Sequence, residues 1–444
     1  MTGVDPADLM VAHAGPLLEG GQLRATAYTE ACLRRVDERG GDTGAWRLVD
    51  RELALQQARE LDSHRLSGSP IGSLHGIPVA VQDVFDTDDL PTAYGTTLDD
   101  GRRPAKDATA VARLRDAGAV ILGKADTTDL GWPRPGRARN PADHSRSAGG
   151  AGGGAAAAVA ACMAPLALAM QSAGDIIQAA SFCGVVGFKP SHGLVPRTGA
   201  LGRSPLLDSV GVFGRCVEDV ALALDTLAGG DPSDPDTARQ TRPRALELSR
   251  SEPPLAPSFA HVPQGAWARA EPTTAAGFDE LGEAIGERWE TWELPDTFAD
   301  GIGAHRTLML VDAARGLGRY EGLGALDDEL RAALEEARAI PAVNYLSAMD
   351  WRDVLYTGIS RIFSRYEVIV TPAAAGQAPV AGEPGDNGAF GVLWTLLGLP
   401  AVSLPLLEGP DGLPVGVQLV GRRGQDGRLL RSARYLCEFI AAQS

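Results

Sequence analysis

The chain has few of the features that mark nucleic-acid-binding or membrane-bound proteins. Positive charge is in short supply: Lys and Arg number 41 against 57 Asp and Glu, which gives a formal net charge of −16. Phosphate backbones and anionic lipid surfaces repel a protein of this charge. We therefore expect no nucleic-acid partner and no membrane partner.

Cysteine is also scarce, with five residues scattered through the sequence. Their odd number and irregular spacing indicate neither a disulfide framework nor a zinc site. The seven histidines form no HxxxH or HExxH pattern, and the glycine-rich tract at 147–154 has neither P-loop nor GxGxxG spacing. We expect no metal and no cofactor.

A leader segment and a long hydrophobic run are missing as well. The N-terminus, MTGVDPADLMVAHAG, lacks a basic segment followed by an apolar one, as a signal peptide would have. The Ala-rich stretch at 155–170 is shorter than the ~20 apolar residues of a membrane span, and we interpret it as one buried helix. Reduced thiols and the absent leader predict a cytoplasmic protein.

Apolar periodicity predicts an α/β fold. Residues 5–65 have helical spacing, residues 74–82 (LHGIPVAVQ) are typical of a short strand, and residues 107–126 are typical of a helix followed by a buried strand. We expect one domain over residues 1–444, with a helical region at 5–65 and a peripheral variable insertion at 228–300.

Further strands are predicted in the C-terminal third of the chain. The segments concerned are β-branched or apolar and lie between Gly and Pro residues. They are YEVIVTPAA (366–374), VLWTLLGLPAVSLPL (392–406) and GLPVGVQLVG (412–421).

Six segments, in order along nearly the whole chain, resemble the amidase signature family. They are LHGIPVAVQD (74–83), DATAVARLRDAGAVILGKAD (107–126), SAGGAGGGAAAAVAA (147–161), SFCGVVGFKPSHGLVPRTG (181–199), LDSVGVFGRCVEDVALALD (207–225) and GLPVGVQLVG (412–421). The resemblance implies one compact domain, a large twisted mixed sheet surrounded by helices. It also implies amide hydrolysis, in which a serine attacks, a second serine held by a cis peptide relays the proton, and a lysine is the base.

The same resemblance places the three catalytic groups of the family on residues that cannot take their roles. The lysine position falls on Gln82, the relay serine on Ala151 and the nucleophile on Asp175. Glutamine does not titrate, alanine carries no proton, and a carboxylate is a weak nucleophile towards an amide. We therefore expect Asp175, with Gln82 as its partner, to be the acting group in the pocket.

The loops around these positions supply the expected ligand contacts. Backbone N–H groups before the family's nucleophile form its oxyanion hole, and the Gly/Ser tract lies across from them. The predicted substrate-binding residues are therefore Ser172, Ala173, Gly174, Gly150 and Gly152.

Three functions are compatible with these substitutions. The first is a repurposed enzyme that uses Asp175 for proton transfer, such as a cyclisation, isomerisation or elimination in secondary metabolism. The second is a catalytically dead pseudoenzyme that serves as a binding or scaffold subunit. The third is an amide hydrolase whose nucleophile has moved to Ser172, Ser181 or Cys183. The expected partners are a small-molecule ligand and a second protein or a second copy of the chain.

A purely structural role for Asp175 also stays open. The residue precedes a helical stretch, IIQAA, and aspartate is common at helix N-caps, where its carboxylate accepts free backbone N–H groups.

Overall fold

The computed structural model describes residues 4–99, 101–237, 242–263, 265–324, 326–383, 385–386 and 388–443, with the backbone alone at 265 and 266. Its strands are β1 (Trp46–Val49), β2 (Pro78–Gln82), β3 (Val120–Ala125), β4 (Leu166–Gln171), β5 (Val186–Lys189), β6 (Ser209–Gly214), β7 (Phe259–His261), β8 (Trp289–Thr291), β9 (Val368–Pro372), β10 (Ala401–Glu408) and β11 (Pro414–Val420). Its α-helices are α1 (Val11–Glu19), α2 (Ala25–Thr43), α3 (Arg51–Leu66), α4 (Thr109–Asp116), α5 (Gly153–Ala160), α6 (Asp175–Cys183), α7 (Val217–Leu227), α8 (Ala245–Arg250), α9 (Pro272–Ile285), α10 (Thr297–Leu317), α11 (Asp328–Arg338), α12 (Ala342–Ser360), α13 (Ala389–Leu396) and α14 (Asp426–Ala441).

All the described strands join one mixed sheet in the order β1-β3-β2-β4-β6-β5-β10-β11-β9-β7-β8. The neighbours β3, β2 and β4 are parallel, whereas β6, β5, β10, β11 and β9 pair antiparallel in turn. Helices surround this sheet, and a single apolar core runs through the domain. The α/β class and the large mixed sheet surrounded by helices are thus confirmed.

Helix α6 lies in the middle of this core. Each of its nine residues is buried, and the helix packs on β5, β10 and β11. Small side chains permit the close approach, and Gly184 ends the helix in the left-handed conformation at φ +69°. The first residue of α6 is Asp175, so the core holds this carboxylate in a fixed place.

Two apolar stretches fold differently from the sequence prediction. The Ala-rich stretch at 155–170 is not one helix, because α5 ends at Ala160 and β4 begins at Leu166. In the segment at 392–406, the first residues belong to helix α13 and only Ala401 onwards is strand β10. Short apolar runs have no period that separates a buried helix from a buried strand, which explains both errors.

The flanking regions are more varied than their composition indicates. Residues 5–65 form helices α1 to α3, but they also contain the edge strand β1, which the helical prediction missed. Residues 228–300 add β7 and β8 to the opposite edge of the sheet, so this segment extends the same domain. Its assignment as an insertion stays a prediction. None of the helices in the described part of the chain is long and apolar enough to cross a bilayer.

The close packing of β6 on β5 yields a stability prediction. A Cβ atom at Gly211 would lie 2.2 Å from the carbonyl oxygen of Phe188, and backbone cannot move aside as a flexible side chain would. We expect Gly211→Ala to lower the free energy of unfolding by about 1–3 kcal/mol in urea titrations. Gly202→Ala is the control, since no atom lies within 4 Å of its added Cβ. A loss of equal size in both variants would contradict the packing at Gly211.

Candidate active site

The candidate site lies at the edge where β2 and β4 end. These strands are parallel neighbours, with Val81 opposite Leu168, so their carboxyl ends meet at the same edge of the sheet. Gln82 is the last residue of β2, and Gln171 is the last residue of β4. Loops beyond the carboxyl ends of parallel strands are where α/β proteins usually bind ligands.

The Gln82 side chain joins three segments at this edge. Its Nε2 donates to Thr127 Oγ1 at 2.9 Å and to the carbonyl oxygen of Ala151 at 2.8 Å. Its Oε1 accepts the backbone N–H of Met170 at 2.8 Å. With 0% of its surface exposed, Gln82 acts as a buried cross-link between β2, β4 and the glycine-rich tract. These three hydrogen bonds go to residues other than Asp175. The predicted catalytic role of Gln82 therefore stays a prediction.

The glycine-rich tract packs directly against the start of α6. A Cβ atom at Gly152 would lie 2.8 Å from the carbonyl oxygen of Asp175. Gly149, at φ +116°, would place a Cβ 3.0 Å from that of Ala179. The tract therefore uses glycine for close backbone approach, and it brings Ala151 beside both Gln82 and the first turn of α6.

The Asp175 carboxylate turns back onto the loop that precedes its own helix. Its Oδ2 accepts the backbone N–H groups of Ser172 at 2.9 Å and of Ala173 at 3.2 Å. Both residues are among the predicted substrate-binding residues. The resemblance predicts oxyanion donors at residues 173–175, so the N–H of Ala173 is one predicted oxyanion donor that the Asp175 side chain already occupies.

Gln171, and not Asp175, caps helix α6. Gln171 Oε1 accepts the backbone N–H groups of Ile176 at 2.9 Å and of Ile177 at 3.2 Å, which are free donors of the first turn. The carboxylate of Asp175 accepts outside the helix, and the N-cap position is Gly174 without a side-chain bond. The N-cap hypothesis for Asp175 is therefore wrong, and its carboxylate is not needed to begin the helix.

A buried arginine faces the carboxylate. Arg203 is 2% exposed, and its Nη2 lies 3.8 Å from Asp175 Oδ2, close enough for an ion pair but too long for a hydrogen bond. Its Nη1 is buried without a hydrogen-bond partner among the described residues. The guanidinium thus has donor capacity that the described residues do not use.

A second buried carboxylate, Asp208, supports the arginine loop and the turn before α6. Asp208 Oδ2 accepts the backbone N–H groups of Arg203 at 2.8 Å and Ser204 at 3.0 Å, and Oδ1 accepts the hydroxyl of Ser172. Burial raises the pKa of Asp208, while the Arg203 guanidinium and these hydrogen bonds lower it. The hydrogen bonds of Asp208 join the loop before β6 to the loop after β4.

His305 of α10 closes the site from the other side. Its Nε2 lies 2.8 Å from the carbonyl oxygen of Ser172. Burial lowers the pKa of His305 to about 4, although this contact and the charge of Asp175 oppose the shift. The imidazole is therefore neutral near pH 7, and Nε2 carries the proton because a carbonyl oxygen can only accept.

Asp175 faces solvent through one cleft. The cleft is small, with about 20 Å³ of space for water-sized molecules, and is lined by Pro133, Arg134, Pro135, Ser147, Gly149, Gly150, Asp175, Gln178, Phe182, Pro379, Glu383 and Gly385. Of the predicted ligand contacts, Gly150 lines the cleft, whereas Gly152 and residues 172–174 lie behind its surface. Three residues of this lining have ionisable side chains. Of these, Asp175 is buried, Arg134 is half-buried and Glu383 is exposed.

Comparison with known proteins identifies the family. The model of the amidase family matches residues 27–288 and 324–430. The chain belongs to the amidase signature family. Among the solved structures that the chain resembles is one of a vestigial protein complex that bears on the evolutionary origins of an s-triazine catabolic enzyme. That structure has a TM-score of 0.90, 26% identity, and coverage of 97% of this chain and 98% of the other. The native peptide amidase of Stenotrophomonas maltophilia gives a TM-score of 0.85 with 27% identity, over 97% of each chain.

Relatives in sequence are also full-length matches. The chain is 33% identical to the A subunit of glutamyl-tRNA(Gln) amidotransferase from Symbiobacterium thermophilum, over 96% of this chain and 95% of the relative. It is 30% identical to the protein of the same name from Koribacter versatilis, over 95% and 96% of the two chains.

These relatives correct two of the functions predicted from sequence. Both the repurposed proton-transfer enzyme and the catalytically dead scaffold are contradicted, because the full-length relatives are amidotransferase subunits of the amidase type. The prediction from sequence assumed that a chain without the family's three catalytic side chains could not carry out the family's reaction. The structure has a small cleft at the same place, with the ionisable Asp175 in its lining.

The candidate replacement nucleophiles Ser172, Ser181 and Cys183 are all buried. Ser172 donates its hydroxyl to Asp208, and Ser181 Oγ accepts the backbone N–H of Gly416 at 2.7 Å. Burial raises the pKa of the Cys183 thiol, which disfavours the reactive thiolate. A relocated serine or cysteine nucleophile is therefore not supported by the geometry.

Sequence reasoning missed Arg203, Asp208 and the cap formed by Gln171. Asp208 lies within a quoted segment of the resemblance, but Arg203 falls at 200–206, between two such segments. One signal was available: an arginine in a short connection between two site-forming segments of an acidic chain. Nothing in the sequence indicated which nitrogen of that arginine would stay unpaired.

One group of side chains in the described part of the chain has the spacing of a metal site, namely Asp88, Asp89 and Asp107. The Arg115 guanidinium already donates to Asp89 at 2.6 Å and to Asp107 at 2.9 Å. This cation offsets the clustered negative charge, and we assign the group no metal.

The cross-link at Gln82 can be tested through stability. Gln82→Met keeps the length of the side chain but leaves the N–H of Met170 and the carbonyl of Ala151 without this partner. A buried polar group without a partner costs about 1–3 kcal/mol, and we expect a loss of that order in the free energy of unfolding. Gln56→Met, at an exposed position of α3, is the control and should change little. Equal stability of the Gln82 variant and wild type would refute the cross-link.

The burial of the serines predicts the outcome of covalent labelling. A fluorophosphonate needs an exposed, activated hydroxyl, and the hydroxyls of Ser172 and Ser181 are neither free nor exposed. We expect no labelling by intact-mass spectrometry, with the Stenotrophomonas peptide amidase tested in parallel. Stoichiometric modification at either serine would restore the relocated-nucleophile hypothesis.

Proposed function

We propose that this protein hydrolyses the carboxamide of a small molecule as the amidase-type component of a cytoplasmic assembly with a second protein, and that Asp175 carries the chemistry in place of the family's Ser-cisSer-Lys triad. The observation that carries the proposal is the position of Asp175. It is the buried ionisable group of the cleft, at the place where the resemblance puts the nucleophile. The full-length similarity to amidotransferase subunits supports the amide substrate and the partner protein.

The proposed reaction uses water as the nucleophile. The Asp175 carboxylate accepts a proton from a water molecule while the water oxygen attacks the carboxamide carbon. The tetrahedral intermediate then collapses, its C–N bond breaks, and the proton passes from Asp175 to the leaving amine. The products are a carboxylic acid and ammonia, and a proton then passes from the acid to ammonia to give carboxylate and ammonium, so atoms and charges balance.

Arg203 supplies the positive charge that this reaction needs. Negative charge builds up on the carbonyl oxygen in the transition state, and a fixed cation in a buried site stabilises it more strongly than water does. The guanidinium lies 3.8 Å from the acting carboxylate. It offsets the repulsion that an ionised Asp175 would otherwise exert on a developing oxyanion.

Gln82 has a positioning role in this proposal. Its hydrogen bonds to Ala151 and Met170 hold the glycine-rich tract and the end of β4 at a fixed separation. Gly150 of that tract lines the cleft across from Asp175, so the separation sets the width available to a substrate.

The proposal predicts the effect of one substitution in a direct assay. Asp175→Asn keeps the shape and the acceptor oxygen but removes the proton acceptor. We expect ammonia release from a panel of glutamine, asparagine and short aliphatic amides to fall ~10²–10⁴-fold on the substrate that wild type turns over, with KM little changed. Glu383→Gln removes the same charge from an exposed residue of the same cleft and should leave the rate within a few-fold.

Two outcomes would refute this function. Absence of ammonia release from the whole panel by the wild-type assembly would exclude the reaction. Equal losses in the Asp175 and Glu383 variants would show that the rate depends on the cleft's net charge and not on proton transfer at Asp175.

A further inference from the structure

Helix α12 carries an unusual share of the exposed apolar surface. Val343, Leu346 and Val354 are 64%, 58% and 59% exposed, and Met349 beside them is 38% exposed. These are four of the ten large apolar side chains found exposed in the described part of the chain. Contiguous apolar surface on a folded protein is typical of an interaction site.

The exposed residues lie on one face of the helix. Positions 343, 346, 350 and 354 are separated by three, four and four residues, which is the spacing of a single helical stripe. At 1.5 Å per residue, the stripe runs for about 16 Å, or three turns. We call this stripe, made of Val343, Leu346, Asp350 and Val354, the outer face of α12. Its length suits a helix of three to four turns lying along it.

The opposite side of α12 anchors the helix to the domain. Ala348, Leu355 and Ile359 are buried, and Tyr345 donates its hydroxyl to Asp312 of α10 at 2.8 Å. Arg352 Nε donates to the carbonyl oxygen of Leu396 in α13 at 3.0 Å. Since these contacts fix the helix, the outer face cannot turn inward to bury its apolar side chains.

The charge on this helix selects the partner. Its exposed ionisable side chains, Asp350 and Asp353, are both acidic. The basic residue of the helix, Arg352, points inward, where burial lowers its pKa. A second copy of the same face or an anionic lipid surface would be repelled, whereas Lys or Arg beside an apolar stripe would be attracted.

We propose that the outer face of α12 is the docking surface for a partner protein, which binds through an amphipathic helix with Lys or Arg flanking its apolar stripe. This inference rests on the part of the proposed function that places the chain in an assembly, and not on the chemistry at Asp175. The apolar stripe supplies affinity, and Asp350 and Asp353 set the choice of partner and its orientation.

The experiment uses a defined probe for such a helix. The probe is a fluorescent 18-residue amphipathic peptide with a leucine stripe flanked by lysines, and the comparison peptide has glutamate at each lysine position. We expect the full-length protein to bind the lysine peptide at least ten-fold more tightly by anisotropy. Added salt should weaken this binding, because the charges are exposed.

Matched variants locate the binding site. The triple variant Val343→Ser/Leu346→Ser/Val354→Ser should weaken binding at least ten-fold, since it removes the apolar stripe. Asp350→Asn/Asp353→Asn should weaken binding and reduce its salt dependence. Leu66→Ser alters a residue of α3 that is 75% exposed, and should bind as wild type does. Surface changes of this kind usually alter the free energy of unfolding by less than about 0.5 kcal/mol. Urea titration of each variant tests this.

Three results would overturn the proposal. They are equal binding of the two peptides, unchanged binding by the triple variant, and a self-association in sedimentation velocity that the triple variant abolishes. Ammonia release by the isolated chain should not respond to the α12 variants, because none of these residues lines the cleft. A failure of the amide chemistry therefore appears in the Asp175 assay alone, and a failure of the docking surface appears in the peptide assay alone.

Discussion

The hydrogen bonds from the loop after β4 to the Asp175 carboxylate determine the shape of the candidate site. By accepting the N–H groups of Ser172 and Ala173, the carboxylate closes a tight turn between β4 and α6. That turn sets the point at which α6 enters the core, where each of its residues is buried. Because protein interiors are close-packed, the carboxylate cannot shift far without disturbing the strands beneath the helix. The acting group of the proposed reaction is thus also a structural element of the core.

Holding these charges in the interior has a cost that the surrounding contacts only partly offset. Asp175, Arg203 and Asp208 lie together, so one cation faces two carboxylates. Backbone N–H groups and the Ser172 hydroxyl satisfy Asp208, and the turn satisfies Asp175. Arg203 Nη1 has no such partner among the described residues. A buried donor without an acceptor costs about 1–3 kcal/mol, and such local costs are typical of sites shaped by function and not by stability.

Much of the fold was predictable from sequence because its signals are local. Strands β2, β3 and β9 follow from β-branched runs beside Gly and Pro, and the six segments of the resemblance implied the mixed sheet. The structure of apolar runs that lack a helical or strand periodicity was not predictable. The first residues of 392–406 form a helix, and the last residues of 155–170 form a strand. Within the site, the sequence led to the prediction at position 175 but did not indicate the hydrogen bonds of its carboxylate. Both Gln171 and Asp175 can accept N–H groups, and only the three-dimensional path of the chain decides that Gln171 caps the helix.

The error about function has a physical origin as well. Three substituted side chains show which groups cannot act, but they do not show what the cleft around them still binds.

The loop before Asp175 is connected to α12 through helix α13. Thr395 of α13 donates to the Ala173 carbonyl, and Arg352 of α12 donates to the carbonyl of Leu396 in α13. A partner bound to the outer face of α12 would contact a helix that is linked to this loop through α13. Contacts of this kind can transmit a movement from one site to another only if an element between the sites has two stable positions. The effect of such a partner therefore depends on whether α13 can shift against Gly174. The backbone there leaves little room, since Cβ atoms added at Gly174 and Gly391 would meet backbone at 2.3 and 2.6 Å. The partner would therefore stabilise a single arrangement of the site and not switch it between two.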